Sequence, residues 1–198
     1  MRKALIESYS KQLIKSFGAL KPPVEEAELQ RLYGKKDYAG MIACVKKILR
    51  LDVRVIMAVV KKGGLNAPAW VERPVPMPMY GTAAFRQTVV TVHLRKSFLD
   101  DSIFEEVVIA IAHELCHVVL DATAHVLQME EEAVDLTAIL LGFRDFYVTG
   151  CESVRKVKLP WWESLLGKER YRSSRTGYLS AAEVRYAAHL MTFGAPPG

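Results

Sequence analysis

The sequence predicts an α+β fold in which helices outnumber strands. Apolar residues recur at helical spacing in six segments, whereas only two segments are rich in the β-branched residues that favour strands. One helical segment is apolar nearly all round over residues 107–120, yet it contains two histidines and a glutamate. A helix of that composition is expected to be buried, with the rest of the chain packed around it.

The composition is that of an ordinary globular chain. Of the 198 residues, 51% are hydrophobic and 25% are charged, which predicts one compact unit made of an N-terminal helical part, 1–50, and a main domain, 51–198. The first residues lack the apolar core of a secretion signal, and no stretch reaches 18 uncharged apolar residues. The three cysteines are odd in number and widely spaced. We therefore expect a cytoplasmic protein without a membrane span.

Three helices are predicted in the N-terminal part. Residues 3–17 show a helical period that ends near Gly18, and a short second helix is expected over 24–33. Asp37 is expected to cap a third helix, residues 38–49.

Two strands follow in the prediction, with a loop between them. Residues 53–62 and 87–95 are the strand candidates, and residues 66–81, which contain four prolines, are predicted as an extended loop at the rim. The apolar helix is then expected to begin after Ser102, with Glu105 completing a capping box, and to run to about residue 120.

Two more helices are predicted towards the end of the chain. Residues 130–143 form an apolar helical pattern with Gly142 at its end. Ser180 and Glu183 make a capping box for a last helix that extends to about residue 191.

Charge is distributed unevenly along the chain. Residues 1–62 contain 14 Lys or Arg against 6 Asp or Glu, whereas residues 100–135 contain 10 Asp or Glu and no Lys or Arg. No nucleic-acid motif accompanies the basic segment, so we interpret it as the solvated faces of amphipathic helices and do not expect a nucleic-acid partner. The acidic segment suits a bound cation better than a polyanion.

The pentapeptide HELCH is the most informative motif, because its spacing is a chemical arrangement. His113 and His117 are four residues apart, so both imidazoles lie on one face of a helix and can reach a single metal ion. Glu114 can then reach a water molecule at that ion and act as general base. Burying these three groups in an apolar helix is costly unless they are paired or bound to metal.

A catalytic zinc ion usually takes three protein ligands, so the chain must supply one more. Glu131 is the preferred candidate, since it begins a helix 14 residues after His117. Asp135 lies one turn later on the same face and can orient a ligating histidine. Glu132 competes with Glu131 for this position, and Glu130 is a weaker candidate.

The other histidines are given lesser roles. His125, in a predicted loop, is the alternative third ligand. His93 and His189 are interpreted as structural, and Cys116 as a small buried hydrophobic residue.

HELCH followed by the segment EEAVD from Glu131 to Asp135 resembles the gluzincin pattern, an HExxH helix with a downstream ExxxD helix. The resemblance covers about residues 87–142, and the short connector is nearer to the small intracellular bacterial members. The metzincin pattern is excluded, because neither a glycine nor a third histidine follows His117 at the required spacing.

This resemblance implies a zincin-like α+β fold, with a small, mainly antiparallel sheet packed on the HExxH helix and on a glutamate-bearing helix. The strand at 87–95 is expected to be an edge strand beside the cleft, where an extended peptide could pair with it. The implied roles are zinc ligation by His113, His117 and Glu131, general base catalysis by Glu114, and support of a ligand by Asp135.

The expected activity is zinc-dependent hydrolysis of a peptide or protein substrate. An oxyanion-stabilising residue should lie downstream, and Tyr178, Arg185, Tyr186 and His189 are unranked candidates. The alternative is a gluzincin-like scaffold that binds zinc and acts as a non-catalytic, partner-binding regulator.

Overall fold

A mixed three-stranded sheet packs against one long buried helix in the computed structural model, which describes residues 1–62, 67–156 and 171–194. The α+β class is therefore confirmed. No helix in the described part of the chain is long and apolar enough to cross a membrane.

The three N-terminal helices form as predicted. They are α1 (Lys3–Phe17), α2 (Glu26–Gly34) and α3 (Tyr38–Ile48). The carboxylate of Asp37 accepts a hydrogen bond of 2.9 Å from the backbone N–H of Gly40, which confirms the predicted cap of α3. Buried apolar side chains from all three helices join the same core as the HELCH helix.

The sheet corrects three predictions. Its strands are β1 (Arg54–Val60), β2 (Ala69–Glu72) and β3 (Val89–Arg95), in the order β1-β3-β2. Because β1 pairs with β3 in parallel and β2 pairs with β3 antiparallel, the expectation of a mainly antiparallel sheet is wrong for this sheet.

The strand β3 is central rather than an edge strand, and the predicted loop at 66–81 contains β2. The strand β2 was missed because its four residues are too short to show a period and lie among prolines. Consequently β2, not β3, is the edge strand on that side of the sheet.

The HELCH helix, α6 (Phe104–Ala122), has 15 of its 19 residues buried, which confirms the predicted burial. Its predicted cap by Ser102 and Glu105 is wrong by one residue, since the carboxylate of Glu106 accepts from the N–H of Ile103 at 3.2 Å. The shift arises because a separate short helix, α5 (Lys96–Asp101), ends immediately before Ser102. Another short helix, α4 (Ala83–Gln87), precedes β3.

The glutamate-bearing helix is more complex than predicted. It begins as α7 (Glu131–Ala138), widens into a π-helical stretch (Ile139–Phe143) and continues as α8 (Arg144–Gly150). Gly142 has φ +108°, so it marks a kink rather than the predicted end. The segment before α2 docks there, with N–H groups of Lys21 and Val24 donating to carbonyls of the π-helical stretch at 2.9 and 3.0 Å.

The last described part contains the antiparallel pair β4 (Glu152–Lys156) and β5 (Tyr171–Arg175), followed by α9 (Ala181–Phe193). The predicted capping box of α9 is confirmed, because Ser180 and Glu183 bond reciprocally.

Gly142 provides a test of this fold. A Cβ atom at Gly142 would lie 2.6 Å from the carbonyl oxygen of Pro22, in a left-handed conformation. We expect Gly142→Ala to lower the free energy of unfolding by about 2 kcal/mol or more, measured by urea denaturation. The control is Gly34→Ala, where a Cβ has no neighbour within 4 Å and alanine should be neutral or stabilising. Equal effects of the two substitutions would contradict the kink.

Candidate metal centre

One carboxylate oxygen of Glu131 contacts both motif histidines. Its Oε2 atom lies 3.2 Å from Nε2 of His113 and 3.3 Å from Nε2 of His117. The four-residue spacing on α6 places the centroids of the two rings 5.0 Å apart, and the first residue of α7 supplies the carboxylate. The ligand atoms of all three residues lie within 4.8 Å of one another.

This donor set fits a zinc ion. Two imidazole nitrogens and one carboxylate oxygen are the protein ligands typical of an open zinc site. His113 is buried, while His117 and Glu131 are half-buried beside a cleft, so the three groups are held firmly and remain reachable.

Asp135 orients the first histidine. Its Oδ1 accepts from Nδ1–H of His113 and from the hydroxyl of Tyr147, both at 2.8 Å. Its Oδ2 accepts from the backbone N–H groups of Tyr178 and Leu179 at 2.6 and 3.1 Å. The fully buried carboxylate is therefore satisfied by four donors, and His113 presents Nε2 towards Glu131.

A glycine is required beside this carboxylate. Gly177 has φ +89°, and a Cβ there would lie 2.8 Å from Oδ2 of Asp135. The glycine lets the backbone approach closely enough to donate both N–H groups of the following two residues.

The charges at the site are strongly coupled. Burial by itself would lower the pKa of His113, but its hydrogen bonds to Asp135 and Glu131 more than reverse this and raise the pKa to about 10. Hydrogen bonds to the two motif histidines hold the pKa of Glu131 well below its usual range. The Glu131 carboxylate therefore stays ionised, and a metal ion at this site would compete with the proton on His113.

Glu114 lies in the same cleft but is bonded differently. Its side chain is buried, and no described residue donates a hydrogen bond to its carboxylate. Burial raises the pKa of Glu114, which the nearby motif histidines partly offset. The cleft measures about 290 Å³ and is lined by Glu114, the three candidate ligands, residues of β2 and Tyr178. An unbonded buried carboxylate facing such a cleft is available to accept a proton.

The three consecutive glutamates contact different partners. Glu130 accepts from the hydroxyl of Tyr9 at 3.0 Å, and Glu132 forms an ion pair with Arg2. Of the alternatives left open by the sequence, only Glu131 is placed against the motif histidines.

His125 is not placed at the site. Its Nδ1 accepts from the N–H of Leu127 at 3.1 Å, its Nε2 lies 3.1 Å from Oγ of Ser16, and its ring stacks on Phe17. Both ring nitrogens are thus already used in packing α1 against the connector. Cys116 is fully buried, as predicted, and burial raises the pKa of its thiol.

Tyr178 is the one oxyanion candidate of the four that lines the cleft. Its ring stacks on His113 with 5.5 Å between centroids. The hydroxyl of Tyr186 instead contacts Glu7, the ring of His189 packs on Phe193, and Arg185 is exposed.

Sequence reasoning missed several residues that complete the site. They are Tyr147 and Gly177 around Asp135, Arg2 and Tyr9 at the flanking glutamates, and Arg73, which lines the cleft and pairs with Asp121. None belongs to a local motif, and each of them contacts its partner across at least 12 residues of sequence.

No protein family, curated protein or solved structure matches the chain.

The role of Asp135 can be tested without a metal. The carboxylate of Asp135 accepts four hydrogen bonds, and in Asp135→Asn one of its two oxygens becomes an NH₂ group that cannot accept them. We therefore expect the free energy of unfolding to fall by about 3 kcal/mol. The matched control is Asp145→Asn, where the carboxylate is half exposed and the expected change is within about 0.5 kcal/mol. Chemical denaturation of the metal-free proteins measures both, and similar small losses would contradict the proposed support of His113.

Proposed function

We propose that the chain is a zinc-dependent metallopeptidase, which hydrolyses peptide bonds by Glu114-assisted attack of water. The observation that carries the proposal is the convergence of His113, His117 and Glu131 beside the unbonded carboxylate of Glu114 in one cleft. A purely structural helix would gain nothing from burying these groups together.

In this proposal the four residues divide the chemistry. His113, His117 and Glu131 would hold the zinc ion, which supplies Lewis-acid chemistry by acidifying water and polarising a carbonyl. Glu114 accepts the proton of the attacking water and delivers it to the leaving amine, a task suited to a carboxylate whose pKa is raised by burial.

Tyr178 is the proposed oxyanion donor. Burial and the surrounding carboxylates raise the pKa of its hydroxyl, so the hydroxyl stays protonated and can donate a hydrogen bond. Its ring is held against His113 by stacking, which keeps it beside the reacting atoms.

The edge strand β2 is the proposed backbone partner of the substrate. Ala69, Trp70 and Val71 of this strand line the cleft, and within the described sheet β2 pairs only with β3. An extended peptide can add to such an edge through backbone hydrogen bonds, which gives affinity with little sequence preference.

A small apolar cavity next to His113 and Glu114 would select the substrate side chain. It measures about 90 Å³, and its lining includes Ala67, Pro68, Ala69, Ile109, Ala110 and Gly177. An apolar protein cavity that accepts benzene measures about 150 Å³. The substrate is therefore proposed to carry a small aliphatic side chain, rather than an aromatic or charged one, beside the cleaved bond.

The general base provides the direct test of hydrolysis. Glu114→Gln keeps the size of the side chain and removes its basicity, so zinc should be retained while hydrolysis of a quenched fluorescent peptide library falls by about 10²–10⁴-fold. Glu26→Gln, on the exposed face of α2, is the control and should retain full activity.

Two results would count against this function. Undiminished hydrolysis by Glu114→Gln would contradict the mechanism. A wild-type protein that binds zinc stoichiometrically but cleaves nothing in the library would instead favour the non-catalytic regulatory scaffold.

The cavity makes a separate prediction about substrate choice. Ala69→Val adds two methyl groups to its wall, so kcat/KM for peptides with leucine at the selected position should fall at least tenfold relative to alanine peptides. Ala58→Val, on the half-buried strand β1, is the matched control. A wild-type preference for phenylalanine, or equal specificity in the two variants, would refute the assignment of the cavity.

A further inference from the structure

Helix α1 and the residue that caps it, Arg2, contact both glutamates that flank Glu131. The hydroxyl of Tyr9 donates to Oε2 of Glu130 at 3.0 Å, and the guanidinium of Arg2 pairs with Glu132. The N-terminal segment, Arg2 together with α1, therefore contacts the carboxylate on each side of the residue that faces the motif histidines.

Arg2 makes further contacts that reach the same centre. Its Nε and Nη2 donate to the two oxygens of Glu183 at 3.0 and 3.1 Å, and Nη2 also donates to the carbonyl of Tyr178 at 3.3 Å. One guanidinium thus joins the first turn of α7, the loop that follows Gly177 and the first turn of α9. The side chain of Glu183 is only 5% exposed, and its hydrogen bond to Arg2 holds its pKa well below the usual range.

We infer that Arg2 and Tyr9 are positioning residues, which keep Glu131 rather than Glu130 or Glu132 directed at the metal centre. Consecutive carboxylates at a helix N-terminus have similar intrinsic affinity for a cation. They point about 100° apart around the helix axis, so unwinding or turning of the first turn by one residue would exchange them. Because Glu130 is bonded to Tyr9 and Glu132 to Arg2, neither is free to replace Glu131, and the two contacts fix the rotation of α7 about its axis.

This inference rests on the zinc site of the proposed function, but it does not require the site to cleave peptides. A purely stabilising role for α1 is the competing explanation. The chain offers a matched control, because Tyr186 makes the same kind of hydroxyl-to-carboxylate contact with Glu7 of α1 and does not touch the α7 glutamates.

The experiment measures the zinc dissociation constant by competition with a chromophoric chelator, at a temperature where every variant is folded. We expect Arg2→Ala to weaken zinc binding about tenfold, and Tyr9→Phe to weaken it by a smaller factor, as removal of outer-shell support usually does. Tyr186→Phe should leave the zinc affinity unchanged, even if its thermal stability falls as much as that of Tyr9→Phe. Arg2→Lys should recover part of the affinity, because one ammonium group cannot reach all three partners.

A double-mutant cycle tests whether Tyr9 influences zinc binding through Glu130. If Tyr9 acts through Glu130, then Tyr9→Phe, Glu130→Ala and the double variant should weaken zinc binding by the same factor. Unchanged affinity in Arg2→Ala and Tyr9→Phe, or losses that match those of Tyr186→Phe, would overturn the inference.

The outcome is distinguishable from failure of the proposed function. Wild-type protein that binds zinc without cleaving peptides, together with weakened binding in Arg2→Ala and Tyr9→Phe, supports the positioning role and overturns the peptidase. Wild-type protein that binds no zinc overturns both.

Discussion

The buried carboxylate of Asp135 is the interaction on which the rest of the site depends. It accepts four hydrogen bonds, from α6, from α8 and from two backbone groups before α9, so it joins three parts of the chain that are distant in sequence. A carboxylate with no exposed surface is tolerated only when its acceptor sites are filled. The orientation of His113, the close approach of Gly177 and the position of Tyr178 all follow from meeting that requirement.

The two carboxylates Asp135 and Glu114 differ in their hydrogen bonding. Asp135 accepts four hydrogen bonds, whereas Glu114, which lines the cleft, receives none from the described residues. Burial raises the pKa of Glu114, and carboxylates with a perturbed pKa beside a cleft are typical of sites where chemistry uses them. The surroundings hold the site in place, since α6 is almost wholly buried and Arg2 and Tyr9 contact the glutamates at the start of α7.

Local sequence patterns predicted the elements that depend on nearby residues and missed those that depend on long-range packing. The sequence predicted the N-terminal helices, the burial of α6, the capping box of α9 and the approach of a glutamate near residue 131 to the two motif histidines, because each rests on residues close in sequence. The four-residue strand β2, the π-helical stretch and the contacts of Tyr147 and Arg2 were not predicted, because long-range packing decides them. The different surroundings of Glu131 and Glu132 belong to the second group, since Glu132 is paired with an arginine 130 residues away.

Diffraction from zinc-soaked crystals, with anomalous data on both sides of the zinc absorption edge, would identify the ligands of the proposed zinc site. We expect one ion bound by Nε2 of His113, Nε2 of His117 and a carboxylate oxygen of Glu131, each at about 2.0–2.2 Å, with a fourth position open to solvent. An ion held by Glu130 or Glu132 in place of Glu131, a fourth protein ligand that closes the site, or no ion at the two histidines would contradict it.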